Sequence, residues 1–96
     1  MTIGDLCEFK TNFPDADFWL VKKGNRSEIG KPVKTFSPEN IGVKVIRTDV
    51  LVPDYLYYVF MNIQNQGVFD MLADVNDGGK RVISIEKLKR LPIGNQ

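Results

Sequence analysis

Histidine is absent from the 96 residues of this chain. With it go the side chain most often used for proton transfer near neutral pH and every Ser-His, Cys-His or His-metal arrangement. Cysteine occurs once, at Cys7, so an internal disulfide and a thiolate zinc site are both excluded. In Ile3-Gly-Asp-Leu-Cys7-Glu-Phe9 it reads as a small buried thiol. Long apolar runs are missing too, and no basic segment followed by an apolar stretch opens the chain. Neither a signal peptide nor a membrane span is expected, which places the protein in a reducing cytoplasm.

The motifs of catalysis are equally thin. Asp74-Val-Asn-Asp77-Gly78 lacks the later bidentate Glu of a calcium loop and reads as a turn. Gly78-Gly79-Lys80 has no Gly five residues ahead of Gly79 and no Ser or Thr after the Lys, so it is not a phosphate loop. Asp15 and Asp17 stand in a turn with no Glu-x-Lys element behind them at strand spacing, as a nuclease would need. The expectation is a protein that is not an enzyme and takes no cofactor and no metal.

What the chain does contain is enough to fold. It is 43% apolar and 26% charged, with six Phe, three Tyr and one Trp, a composition that can offset chain entropy. A chain of this length buries only about 60% of its unfolded surface, so one domain spanning 1–96 is expected.

Local patterns point to a mixed α/β or α+β domain with short strands. Thr2-Ile-Gly-Asp5 is a capping-box-like start with Ile3, Leu6 and Cys7 at helical spacing, which predicts a helical turn over 2–8. Asp17-Phe-Trp-Leu-Val21 predicts a strand over about 17–22, followed by a polar loop at 23–31. Pro32-Val-Lys-Thr-Phe36 alternates, and Ser37-Pro38-Glu-Asn predicts one capped helical turn over 37–41, closed by Gly42. Val43-Lys-Val-Ile-Arg47 reads as another strand.

The strongest periodicity runs from Pro53, where Leu56, Val59, Phe60 and Ile63 recur at i, i+3, i+4 and i+7. It predicts an amphipathic helix over about 53–65, with Gly67 just past its end. The Val68–Leu72 stretch fits a short helix or an extended strip. After the Asp74–Gly79 turn, Val82-Ile83 reads as a brief strand. Ser84 caps a helical turn over 84–88, and Leu91-Pro92-Ile93 leaves in extended form.

Charge is balanced overall, with 13 Lys and Arg against 12 Asp and Glu, but it is segregated along the chain. Leu20–Phe36 carries Lys22, Lys23, Arg26, Lys31 and Lys34 against Glu28, a local +4. Pro53–Gly79 carries Asp54, Asp70, Asp74 and Asp77 and no cation, a local −4. Lys80–Arg90 returns to +4. If the two basic blocks meet in space they form one positive face. Lys22, Lys23, Lys31 and Lys34 are then candidate phosphate contacts, Asn25, Arg26 and Arg81 candidate contacts to base edges, and Lys80 a further candidate DNA-binding residue. Phe18 and Trp19, flanking the basic loop, could stack on a base, but aromatic residues in a strand are more often core. Tyr55, Tyr57, Tyr58 and Phe69 would suit a protein interface if exposed.

Leu51-Val-Pro-Asp-Tyr-Leu-Tyr-Tyr-Val-Phe60, Gly67, Gly79 and Ile83-Ser-Ile-Glu-Lys-Leu-Lys-Arg-Leu-Pro-Ile93 together resemble the closing portion of the target-recognition domain of type I restriction-modification specificity subunits, in compact or partial form. Thr2-Ile-Gly-Asp-Leu-Cys-Glu-Phe9 resembles that domain's opening helix. The resemblance implies an α/β domain that reads double-stranded DNA through loops and strands. Three forms stay open: a compact free-standing relative, alone or as a homodimer, an excised piece, or a stand-alone protein reusing the fold. Methylation and cleavage would be left to partner methyltransferase and nuclease subunits. A protein-interaction or regulatory domain reusing the same fold is the alternative.

Overall fold

The computed structural model describes residues 2–75 and 78–92. A 3-10 turn at Ile3–Asp5 leads into strand β1 (Cys7–Thr11), followed by β2 (Phe18–Leu20), β3 (Lys23–Gly24), β4 (Pro32–Val33) and β5 (Ile41–Val45). Helix α1 (Pro53–Asn65) and helix α2 (Val68–Leu72) follow, then β6 (Asp74–Val75), β7 (Arg81–Val82) and α3 (Ile85–Lys89). The class is α+β. Among the described residues the strands form two antiparallel sheets, one ordered β1-β5-β2-β4 and one ordered β3-β7-β6. No helix among them is long and apolar enough to cross a membrane.

The larger sheet follows from two-residue periodicity. Cys7 and Phe9 lie opposite Val45 and Val43, and Phe18 and Leu20 opposite Val43 and Ile41, so these side chains share one face and are buried. On the other face Trp19 lies opposite Gly42, and the 13–16 segment folds over both. Trp19 Nε1 donates to the Phe13 carbonyl at 3.0 Å. A side chain at position 42 would run into Phe13 Cβ at 2.7 Å and Ala16 Cβ at 2.9 Å. Gly42 is therefore a strand residue that lets this cover close down.

Helix α1 matches the span expected from its periodicity. Its apolar stripe delivers Leu56 and Phe60 to the sheet, and Phe60 joins Phe18 (centroids 5.9 Å apart) to the stacked ring of Phe69 on α2 (5.8 Å). Each such fully buried ring contributes roughly 2–3 kcal/mol by removing apolar surface from water. Gly67, at φ +79°, makes the left-handed turn between the two helices. The 68–72 stretch is thus a helix. Helix α3 starts at Ser84, whose Oγ accepts from Lys87 N at 3.2 Å, and its Leu88 is buried. The next residue but two, Leu91, accepts from Ile3 N at 2.9 Å, which brings the two ends of the described chain together.

Two expected helical turns are corrected. The first is confined to Ile3–Asp5, and the chain is extended from Cys7. The Thr2 amide does donate to the Asp5 carboxylate at 2.9 Å and holds that carboxyl below its ordinary range, but one capped turn cannot outweigh the alternating Cys7-Glu-Phe9-Lys stretch paired with β5. The second, over 37–41, is a hydrogen-bonded turn closed by Asn40 N to Ser37 O at 3.2 Å, after which Ile41 enters β5. The polar loop at 23–31 also begins with a paired strand. Ile93 and the Asn76-Asp77 portion of the expected 74–79 turn lie outside the described residues.

Candidate functional site

The pairing of β3 with β7 brings the two basic blocks together. Lys23 lies opposite Val82 and Gly24 opposite Arg81, and Ile83 N donates to the Lys22 carbonyl at 2.9 Å to extend the contact. Segments far apart in sequence thereby become adjacent strands, as the backbone groups of Lys22–Gly24 find partners on β7.

Beside this ribbon lies a cleft of about 730 Å³. One wall is formed by Lys22, Lys23, Lys80 and Val82, and the other by Thr11 at the end of β1 and by Pro38, Glu39 and Asn40 of the 37–40 turn. The second wall is fixed to β1, since Asn12 N donates to the Pro38 carbonyl at 3.0 Å. To do so Asn12 takes a left-handed conformation, φ +51°, which Asn tolerates better than most residues. Among the described residues that line the cleft, Lys22, Lys23 and Lys80 are cationic and Glu39 is anionic. Lys22 and Lys23 form no ion pair among the described residues, so their charge is left for an outside anion.

The other candidate residues take different places. Arg81 and Arg26 both pair with Asp70 of α2, Arg81 through Asp70 Oδ1 and Arg26 Nε to Oδ2 at 3.2 Å. Arg81 is largely covered (21% exposed side chain), whereas Arg26 is open (74%). Asn25 shapes its own loop: its Oδ1 accepts from Ser27 N (3.0 Å), Ser27 Oγ (2.8 Å) and Glu28 N (3.0 Å), an Asx turn. Lys34 lies over the Tyr57 ring, 4.8 Å from its centroid. Lys31 is exposed and holds the loop base through its carbonyl, which accepts from Val21 N at 3.1 Å.

The second wall was not legible in the sequence. Thr11, Glu39 and Asn40 stand in no charge block, and no local signal marks them, because only the β1–β5 pairing carries the 37–40 turn across from Lys22. The acidic segment also has a role it did not show in sequence. Asp70 neutralises two arginines, and Asp74 pairs with Lys87 at 3.1 Å. Phe18 and Trp19 are core, as expected, and Phe69 is buried, which removes it from any interface. Among the described residues no group of three or more His, Cys, Asp or Glu converges as a metal site would.

No known family pattern matches the chain, and no curated protein matches its sequence. Its fold is similar to the crystal structure of a type I restriction-modification system S subunit from M. genitalium, with a TM-score of 0.67 at 16% identity over 95% of this chain. The chain spans 32% of that protein's length. At this identity the likeness is one of fold.

Proposed function

We propose that this chain is a sequence-specific double-stranded DNA-recognition module of the restriction-modification specificity type, with no catalysis of its own, acting alongside partner subunits. The observation that carries the reading is the convergence of Lys22, Lys23 and Lys80 on one cleft. Phosphate neutralisation by such side chains releases counterions and dominates affinity. Duplex is favoured over single strand because no aromatic ring is among the described residues that line the cleft, and single-strand binders rely on bases stacking on exposed rings. The fold shared with a restriction-modification S subunit supports the same reading.

The test is anisotropy of a labelled duplex titrated across about 50–200 mM salt. Two phosphate contacts, from Lys22 and Lys23, give a slope of log K on log salt of about −2. An absence of duplex binding at the lowest salt would refute the proposal.

A second reading has its own observation. Tyr55 and Tyr58, each 64% exposed, stand on the first turns of α1 beside exposed Val52, a composition suited to a protein interface. On this reading the chain docks a subunit of a restriction system and modulates it. Capture of such a subunit from nuclease-treated lysate by the wild type, and its loss with a Tyr55→Ser, Tyr58→Ser variant, would support it. Equal capture by both would count against this surface.

A further inference from the structure

We infer that Glu39 determines sequence preference in the cleft by accepting a hydrogen bond from the exocyclic amino group of a cytosine. This rests on the DNA-binding reading above. Glu39 lines the same cleft as Lys22, Lys23 and Lys80 yet forms no ion pair among the described residues. In a cleft that bound phosphate alone, a carboxylate would repel the ligand and weaken binding. It becomes useful where the ligand presents a donor. Cytosine N4 in the major groove is such a donor, and Glu and Asp are the side chains that accept from it.

The two walls therefore divide the work. A strand of the duplex seated in the cleft lays its phosphates on Lys22 and Lys23 and turns its base edges toward the opposite wall. That wall is preorganised, since the 37–40 turn is closed by Asn40 N to Ser37 O and anchored to β1 through Asn12 N and the Pro38 carbonyl. Pro38 restricts the backbone just before Glu39. A carboxylate on a fixed turn discriminates better than one on a mobile loop, because less ordering is needed on binding.

Selection from a randomised duplex library, performed with the wild type and with Glu39→Ala, which removes the acceptor, tests the inference. Glu39 is exposed in a turn, so the substitution leaves the core untouched. The expected result is a motif containing a cytosine that the variant no longer prefers, with about a tenfold loss of affinity for the selected duplex and an unchanged salt slope. If Glu39→Ala instead binds every duplex more tightly and enriches the same motif, Glu39 acts only by repelling phosphate and the inference is overturned while the DNA-binding reading stands. Unchanged motif and affinity overturn it likewise. If the wild type binds no duplex, both fall.

Discussion

Asp70 of α2 is ion-paired with Arg81 of β7, so the helix that carries the core ring Phe69 also holds the strand against which Lys23 is paired. The second oxygen of the same carboxylate reaches Arg26 in the loop after β3. One acidic side chain thus links both basic blocks to the hydrophobic core.

Removing that carboxylate is expected to cost stability and binding together. Asp70→Asn should destabilise the fold by about 1–2 kcal/mol, less than for a fully buried pair because both partners keep some contact with water. Arg26→Ala, at the open end, should cost less than about 0.5 kcal/mol. Urea denaturation of the two variants and their double mutant measures this. Equal losses for Asp70→Asn and Arg26→Ala would show that the Arg81 contact contributes nothing.

The cleft lysines and Lys34 should separate in a salt titration. Lys22→Ala is expected to make the slope of log K on log salt less steep by about 1, as one phosphate contact is lost. Lys34, held over Tyr57 and not among the residues lining the cleft, should leave the slope unaltered when replaced by Ala. A matching change in both would mean that the whole basic segment is the footprint, not the cleft.

Glycines 30 and 67 share a left-handed conformation but not their surroundings. At Gly30, φ +76°, a Cβ would collide with the Phe69 ring, whereas at Gly67, φ +79°, it would meet nothing within 4 Å. Gly30→Ala should therefore cost roughly 3 kcal/mol or more, combining backbone strain with overpacking. Gly67→Ala should cost about 1 kcal/mol from strain alone. Thermal or urea unfolding distinguishes the two, and similar losses would mean that Phe69 yields easily.

Burial, with the Asp17 charge as a lesser cause, pushes the Cys7 thiol from 9.0 up to about 11. The folded chain keeps a proton that the unfolded chain releases, so this contribution to stability is complete below about pH 9 and is lost as pH rises toward about 11. Cys7→Ala should show a shallower fall in urea midpoint across that window than the wild type. Parallel profiles would mean that the thiol ionises as readily folded as unfolded.

Elements with a long, consistent pattern were legible in the sequence. Leu56, Val59, Phe60 and Ile63 mark α1, and Ser84 marks the start of α3, because helix periodicity and capping are local properties. The β1 strand was hidden behind a cap that proved real but brief. Thr2 and Asp5 satisfy a single 3-10 turn, and pairing with β5 decides the conformation beyond it. Gly42 read as a turn residue for the same reason: the sheet register that places it under Phe13 and Ala16 lies outside its own neighbourhood.

By itself the sequence determined the helical stripe of α1, the buried reading of Cys7, Phe18 and Trp19, and the lack of histidine and of a second cysteine. It also showed two basic blocks around an acidic one. The tertiary structure decided how those blocks meet. It spent Arg26, Arg81 and Lys87 on Asp70 and Asp74, and it gathered Lys22, Lys23 and Lys80 opposite Glu39 and Asn40. Charges interact through space, and the distances between them are set by strand pairing between segments far apart in the chain, which no local pattern encodes.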